Sequence, residues 1–286
     1  VAPVFCPRDQ VSVGLKAMGE KEMIELVDVC LDHPRGGAAL VTEGNLQVAR
    51  GEVVMVVGAA GVGTSRLVAA MLGEAQTRSG RIEVLGRDVA KLRRASLRLL
   101  RRRIGIVPQD LCLLEDRSAQ LNVVLPLEID GIPRSMSVVR AGEILARLGL
   151  ESEASLPVDC LSASARQRVA VARALVREPS LVIADHPTSL QDAEGAELVC
   201  RSLAEVALTG AAVLIFGRDP ALREIAERRH WRQLGLVNGR LRPLAEIELE
   251  GTTIEELLIG IDSAAIRPIA EDVHSNLLPF PVTGVA

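Results

Sequence analysis

Apolar residues recur along this chain in two patterns, which predict β-strands and α-helices in alternation. Short apolar runs rich in Val and Ile predict buried strands within 53–58, 104–110, 180–187 and 211–220. Alternating or short apolar stretches predict further strands at 24–29, 46–48 and 79–89. Helical spacing predicts helices at 65–73, 91–103 and 136–149. This alternation predicts an α/β fold with a mainly parallel sheet.

The same pattern divides the chain into three parts. Residues 1–22 carry little periodicity and are interpreted as an N-terminal extension, and residues 23–242 form the main domain. Within it, about 109–169 changes to helical character, which predicts a helical subdomain inserted between strands. In the C-terminal tail, 243–286, the stretch IEELLIGI predicts a short amphipathic helix that mediates dimerisation, contacts another partner or only covers the edge of the sheet.

Composition excludes several classes of protein. The chain is 48% apolar and 24% charged, as expected for a globular protein, and its net charge of −4 gives no general attraction to nucleic acid. No apolar run reaches the roughly 18 to 20 residues that span a bilayer. The five cysteines are scattered and never spaced as C-x-x-C, which indicates reduced thiols rather than disulfides or a zinc site. We therefore expect a cytoplasmic protein.

A glycine-rich turn lies between the predicted strand and helix of residues 53–68. Its glycines are Gly58, Gly61 and Gly63. Such a turn directs successive backbone N–H groups, and the positive end of the helix, into a concavity that suits a phosphate chain. A purely structural strand-to-helix turn could require the same glycines, so the interpretation depends on the rest of the chain.

The spacing of this turn matches the phosphate loop G-x-x-x-x-G-K-[ST], with one exception. Ser65 stands where the magnesium-binding hydroxyl belongs, but Thr64 stands where the lysine belongs. Further polar residues follow the other predicted strands, namely Gln109, Asp185 with His186, and Arg218. Ligands of open α/β sheets bind at the carboxyl ends of strands, so these residues are candidates for the same site.

Residues 91–103, KLRRASLRLLRRR, contain six arginines and one lysine. A basic helix of this kind could bind the phosphates of nucleic acid or lipid. The alternative is a solvated helix face with four leucines turned partly inward, at Leu92, Leu97, Leu99 and Leu100. No aromatic residues are interleaved with the arginines, so we favour the second interpretation and expect no nucleic-acid partner.

Two long segments resemble the nucleotide-binding subunits of ABC transporters. RRRIGIVPQDLCLLEDRSAQLNVVLPLEIDG is similar to the region around the glutamine loop of the cell-division ATP-binding protein FtsE, and LSASARQRVAVARALVREPSLVIADHPTSLQD is similar to the family's signature helix, Walker B strand and D-loop. Lipoprotein-release and macrolide-export ATPases share this likeness, which covers 23–242. It implies a P-loop NTPase fold of the ABC type, with a mainly parallel sheet, an antiparallel β part and an inserted helical subdomain.

The resemblance also implies a site for ATP and magnesium. The positions that match the family's nucleotide-binding residues are His33, Gly58, Ala59, Ala60, Gly61, Gly63, Thr64, Ser65, Arg66, Gln109, Ser162 and Asp185. His33 falls near the position of the aromatic residue that stacks on adenine in the family. Ser65, Gln109 and Asp185 correspond to the residues that hold magnesium.

The chain departs from the family pattern at the residues that perform chemistry. Thr64 replaces the lysine, His186 replaces the catalytic glutamate, and Arg218 replaces the switch histidine. The signature LSGGQ is LSASA here, so Ala163 and Ser164 replace glycines where the backbone approaches the partner subunit's γ-phosphate. These changes predict a weakened nucleotide site and an ATPase activity that is slow or absent.

The expected losses have a physical scale. A hydrogen bond to a charged group contributes roughly 1.5–3 kcal/mol, so loss of the lysine predicts about a hundredfold weaker nucleotide binding. General-base assistance is worth about 10²–10⁴ in rate. His186 could supply it, because imidazole accepts protons near neutral pH, and a slow but active transport ATPase is therefore the main alternative.

The resemblance implies protein partners as well. In the family, the surface formed by residues 109–135 receives a short helix of a membrane subunit, so we expect an integral membrane partner like the FtsX permease, with Glu115 and Asp116 at the contact. The alternative is that these positions only complete the helical subdomain. The family also implies a dimer, with a second copy or a homologous ABC subunit, at the inner face of the cytoplasmic membrane.

Overall fold

The structure is a computed structural model, and it describes residues 22–34, 36, 39–250 and 253. Its strands are β1 (Ile24–Asp32), β2 (Ala39–Val48), β3 (Val53–Gly58), β4 (Ser79–Val84), β5 (Arg87–Asp88), β6 (Ile104–Val107), β7 (Leu181–Asp185), β8 (Ala212–Phe216), β9 (Arg232–Val237) and β10 (Arg240–Pro243). Its α-helices are α1 (Thr64–Met71), α2 (Arg94–Arg101), α3 (Ala119–Ile129), α4 (Arg134–Arg147), α5 (Ala163–Leu175), α6 (Ala193–Leu208), α7 (Pro220–Arg228) and α8 (Leu244–Leu249).

Two sheets form the framework. The larger has the order β10-β9-β3-β8-β7-β6, and its five strands from β9 to β6 pair in parallel while β10 pairs with β9 antiparallel. The smaller is antiparallel, with the order β2-β1-β4-β5. This arrangement confirms the predicted α/β class, with a mainly parallel sheet and an antiparallel β part.

The larger sheet is buried on both faces. Along β3, Met55 and Val57 belong to an apolar cluster that includes side chains of α3 to α7, whereas Val54 and Val56 belong to a second cluster with the smaller sheet and α1. Strands covered on both sides need apolar residues at every position, because successive side chains point to opposite faces. This explains the uninterrupted apolar runs in the sequence.

Helices α3, α4 and the start of α5 lie within 109–169, where the sequence predicted helical character. Buried Asn122 on α3 ties the preceding loop to this helical unit. Its side-chain amide donates to the carbonyls of Leu114 and Ser118 at 3.0 Å, and its oxygen accepts from the Leu114 N–H at 2.8 Å. Polar groups buried in this way are stabilising only when they are paired, so Asn122 serves the fold rather than a ligand.

The basic segment is shorter and more irregular than predicted. Residues Val89–Lys91 form a single 3₁₀ turn before α2 begins at Arg94. Leu92, Leu97 and Leu100 pack against the core as expected, but the expectation for Leu99 was wrong, because its side chain is 59% exposed. Residues three apart share a helix face, and Leu99 falls outside the face that Leu97 and Leu100 share.

The tail begins with an ordered element. Leu244 and Ile247 of α8 are buried against the core, so residues 244–249 pack on the domain that precedes them. The predicted amphipathic stretch IEELLIGI and the predicted extension 1–22 lie outside the described residues, apart from Glu22. In the part of the chain that the structure describes, no helix is both long enough and apolar enough to cross a membrane.

Candidate functional site

The glycine loop joins β3 to α1 at the carboxyl edge of the larger sheet. Gly61 and Gly63 have φ of +81° and +109°, in the left-handed region that side chains disfavour. A Cβ on Gly63 would also lie 2.8 Å from the Cβ of Leu40. No side chain caps the start of α1, so no capping side chain occupies its first N–H groups. The loop therefore offers the anion-binding geometry expected from its sequence.

A cavity of about 670 Å³ lies beside this loop, between α1 and the ends of β6 and β7. Ser65, Gln109 and Asp185 line it together. Parallel strands end at one edge of the sheet, so residues far apart in the sequence meet there. The structure thus brings together the three residues that the resemblance matched to magnesium ligands.

Asp185 is the most buried polar residue of this group, with 6% of its surface exposed. The Ser65 hydroxyl donates to Asp185 Oδ2 at 3.2 Å, and His186 Nδ1 lies 2.8 Å from Asp185 Oδ1. A hydroxyl, an amide oxygen and a carboxylate are oxygen donors of the kind that Mg²⁺ prefers. The residues present therefore fit a magnesium ion, with Ser65, Gln109 and Asp185 as the groups that would hold it.

His186 is held firmly at the end of β7. Its φ is +54°, its N–H donates to the carbonyl of Phe216 at 2.7 Å, and its own carbonyl accepts from Gln167 Nε2 at 2.8 Å. In the tautomer whose Nδ1–H donates to Asp185 Oδ1, the Nε2 atom is left as an acceptor. An oriented imidazole of this kind can accept a proton from water or a hydroxyl.

Three further candidates lie outside the lining of this cavity. His33 is exposed on the turn between β1 and β2, Ser162 caps the start of α5 by accepting from the Ala165 N–H at 3.1 Å, and Arg218 is exposed just after β8. A site that lies between two subunits requires such residues to face a partner rather than one another. Within a single chain these three residues do not line the cavity, and their positions are compatible with a role at a surface between two subunits.

Arg66 lies one residue beyond the serine of the loop and is the single charged side chain between Gly58 and Leu67. It is half-buried, and its Nε atom is buried without a hydrogen-bond partner among the described residues. A buried donor without a partner costs free energy, so this guanidinium is not fully satisfied by the residues around it. Thr64, where the loop pattern has lysine, is half-buried at the first position of α1.

Sequence reasoning missed a hydrogen-bond network between α5 and the loop after β7. Gln191 Nε2 donates to the Ser164 carbonyl and to Gln167 Oε1, both at 2.9 Å. The Ser164 hydroxyl donates to Gln191 Oε1 at 2.8 Å, so the Ser164 side chain bonds within its own chain. Ala163 is exposed and Ser164 is half-buried, and the expectation that both add bulk at a phosphate-facing surface stays a prediction.

Comparisons with known proteins identify the family. A family profile for ABC transporters matches residues 41–189. The methionine import ATP-binding protein MetN of Brucella abortus is 35% identical over 223 residues, which cover 77% of this chain and 60% of MetN. The lipoprotein-releasing system ATP-binding protein LolD of Neorickettsia sennetsu is 38% identical over 196 residues, which cover 66% of this chain and 84% of LolD.

Solved structures agree. The ATP-binding cassette MJ0796, in a dimeric post-hydrolysis state bound to ADP and phosphate, superposes with a TM-score of 0.70 at 27% sequence identity. The superposition covers 77% of this chain and 97% of the MJ0796 chain. The ATP-binding subunit of another ABC transporter shares the fold with a TM-score of 0.69. On the combined grounds of profile, sequence and fold, this chain belongs to the family of ABC transporter ATP-binding domains.

Proposed function

We propose that this chain is a nucleotide-binding subunit of the FtsE kind whose ATPase chemistry is degenerate. It binds ATP and magnesium weakly, hydrolyses ATP slowly or not at all, and acts by holding or clamping a membrane partner. The observation that carries the proposal is the composition of the loop and the cavity. The oxygen donors Ser65, Gln109 and Asp185 are in place, whereas Thr64 and His186 stand at the positions of the lysine and the glutamate.

The charge of the loop supports binding without efficient turnover. Thr64 cannot place a positive charge on the β- and γ-phosphates, but the guanidinium of Arg66 at the start of α1 is half-buried and has an unpaired Nε. It supplies attraction for phosphate from a different position. Binding energy that is the same for substrate and transition state does not raise the rate of the chemical step. The site therefore retains affinity more readily than it retains catalysis.

The helical subdomain carries the surface proposed for the membrane partner. Within residues 109–135, Leu125 and Ile129 of α3 are exposed by 38% and 57%, one helical turn apart on one face. Glu115 and Asp116 are exposed in the loop before α3. Exposed apolar residues on α3 and exposed acidic residues in the loop before it would suit a short amphipathic helix of an FtsX-like permease. Binding of such a partner would hold the subunit peripherally at the inner face of the membrane.

A dimer is part of the proposal. The similar cassette MJ0796 is described as dimeric, and the exposed start of α5 at Ser162 and Ala163 is the surface that would face a second subunit. The second subunit is either another copy or a homologous ABC protein. Because Ala163 adds a methyl group to this surface, a competent partner would have its own phosphate site less closely covered.

The proposal is tested by separating binding from turnover. Calorimetric titration with Mg·ATP and with a non-hydrolysable analogue should give weak binding, and phosphate release by the purified chain should be close to background. The double variant Thr64→Lys/His186→Glu should bind more tightly and release phosphate faster. Rapid magnesium-dependent ADP production by the unaltered chain would overturn the proposal.

Docking is tested separately with the membrane partner. The FtsX-like permease in detergent should retain the chain in a pull-down, and reversal of charge at Glu115 or Asp116 should weaken retention. The matched control is charge reversal at Glu205 on α6, away from residues 109–135. Equal retention of all variants would count against this surface.

A second candidate function is a slow transport ATPase with His186 as general base. The specific observation in its favour is the 2.8 Å contact between His186 Nδ1 and Asp185 Oδ1, since a carboxylate on one ring nitrogen orients the other as a proton acceptor. Turnover that is measurable in the unaltered chain and abolished in His186→Ala would support it. Turnover that is absent, or that survives in His186→Ala, would exclude it.

A further inference from the structure

The loop after β6 has an unusual backbone. Gln109 lines the cavity, and two residues later Leu111 and Cys112 have φ of +59° and +45°. Consecutive non-glycine residues in the left-handed region are disfavoured, and they persist only where the surroundings hold them. Within the loop, the Cys112 N–H donates to the Asp110 carbonyl at 2.7 Å and its thiol donates to Asp110 Oδ1 at 2.9 Å.

A contact from another element fixes these two residues. On α5, Arg173 Nη1 donates to the Cys112 carbonyl at 2.5 Å, and Arg173 Nη2 donates to the Leu111 carbonyl at 2.6 Å. The fork of a guanidinium matches two neighbouring acceptors in fixed geometry. Both carbonyls belong to the residues with left-handed backbone, so Arg173 binds the loop at the two residues whose backbone conformation is least favourable.

Arg173 is committed to this contact. Burial lowers the pKa of its guanidinium, against the opposing influence of Cys112 and Asp110. Its two hydrogen-bond acceptors are the carbonyls of Cys112 and Leu111 in the loop. Arg173 is partly buried, and a cation that is partly removed from water is costly unless it is hydrogen-bonded, so the guanidinium would be less well satisfied if the loop moved away.

The same helix supports the neighbouring strand end. Gln167, six residues before Arg173 on α5, donates to the carbonyl of His186 just after β7. One rigid helix thus holds the loop that carries Gln109 and the loop that carries His186. Both contacts are made to backbone oxygens, so they fix the paths of the loops and leave the site side chains free for a ligand.

We propose that Arg173 is a positioning residue. It fixes the backbone conformation of the loop that carries Gln109 and thereby presents the Gln109 amide to the magnesium ion of a bound nucleotide. The inference rests on the proposed nucleotide site and adds a determinant that lies outside its cavity. If Arg173 had only a structural role, its loss would destabilise α5 without a selective effect on the conformation of the loop or on magnesium-assisted nucleotide binding.

The first test does not require nucleotide. Cys112 is exposed within the loop, and Cys160, also exposed, precedes α5 and serves as an internal reference. Alkylation of the native protein across a range of pH, followed by peptide mapping, should show a several-fold higher limiting rate for the Cys112 thiolate in Arg173→Met, with the limiting rate at Cys160 unchanged. The limiting rate is compared because Asp110 raises the pKa of the Cys112 thiol and Arg173 lowers it, so loss of Arg173 alone would slow the reaction at a fixed pH. Arg173→Lys should lie between the two, because an ammonium group lacks the fork that serves both carbonyls.

The matched control is Arg168→Met. Arg168 lies on the same helix and also donates to two neighbouring carbonyls, those of Leu148 and Gly149, away from the loop. It should leave the Cys112 rate unchanged. If Arg173→Met does not fold, Arg173→Gln and Arg173→Lys carry the comparison. An unchanged Cys112 rate in a folded Arg173 variant, or an equal rise at Cys160, would overturn the proposal.

The second test measures how magnesium assists nucleotide binding. The ratio of ATP affinity with Mg²⁺ to that with EDTA should fall in Arg173→Met, while affinity in EDTA stays near that of the unaltered chain. An unchanged ratio would overturn the magnesium part of the proposal. If the unaltered chain binds no nucleotide at all, the proposed function fails, and the alkylation rates still decide whether Arg173 sets the loop.

Discussion

The hydroxyl of Ser65 and the carboxylate of Asp185 meet at 3.2 Å although 120 positions separate them in the sequence. Ser65 is the second residue of α1 and Asp185 ends β7, so their contact depends on the pairing of β3 with β8 and of β8 with β7. The contact places a carboxylate beside the glycine loop, where it would act on magnesium.

The first prediction concerns that carboxylate. In Asp185→Asn, the shape of the residue is kept and its charge is lost, so magnesium should no longer assist nucleotide binding. Calorimetric titration with ATP should give similar affinities with Mg²⁺ and with EDTA. The control is Asp192→Asn, which alters the N-cap of α6 and should keep the magnesium effect. A retained effect in Asp185→Asn would contradict this role.

The second prediction concerns Arg66. If its guanidinium reaches phosphate, Arg66→Met should lose roughly 1.5–3 kcal/mol of nucleotide binding, as for a hydrogen bond to a charged group. Arg66→Lys should lose less, because it keeps the charge. Fluorescent ATP binding measures both, with Arg87→Met in the exposed strand β5 as the control. Equal affinity of Arg66→Met and the unaltered chain would exclude Arg66 from the site.

The third prediction concerns the core under the site. Phe216 is fully buried at the end of β8, and its carbonyl accepts from the His186 N–H. Phe216→Ala should lower the free energy of unfolding by about 3–5 kcal/mol through lost burial and a cavity. Leu208→Ala, at a side chain that is 88% exposed, should change it by no more than about 0.5 kcal/mol. Urea denaturation measures both, and similar effects would contradict the described packing.

The fourth prediction compares two glycines. A Cβ on Gly105 in β6 would lie 2.4 Å from the Ala174 carbonyl oxygen, so Gly105→Ala should destabilise the chain by about 1–3 kcal/mol. A Cβ on Gly142 within α4 meets no atom within 4 Å. Gly142→Ala should therefore raise stability by about 0.5–1 kcal/mol, because alanine is the better helix former. Opposite signs in thermal unfolding would confirm the contrast, and equal signs would contradict it.

The strands of the large sheet and the residues at their carboxyl ends were predictable from the sequence alone. Apolar runs gave the positions of β3, β6, β7 and β8, and the residues that follow them fall at one edge. Strands β9 and β10 were not predicted, since Arg232–Val237 and Arg240–Pro243 carry charged residues at their exposed positions. Strand β2 was predicted too short, because its first half, from Ala39, is only partly buried.

Contacts made by polar side chains across long separations were not predictable. Arg173 reaches Leu111 across 62 positions, and Gln191 reaches Ser164 across 27. Such pairs leave no periodic pattern, because each depends on where two elements happen to meet in three dimensions. The orientation of Ser164 toward Gln191 illustrates this, since the sequence indicated only that a glycine position had gained a side chain.

The two apolar clusters on either face of the large sheet have a consequence for how this chain can change over evolutionary time. Three of the replaced motif residues, Thr64, His186 and Arg218, lie at the carboxyl edge of the sheet and belong to neither cluster. Mutations at the rim can therefore accumulate without unfolding the body beneath it. The fold can therefore persist when the residues of its site change, and it can then serve a different function.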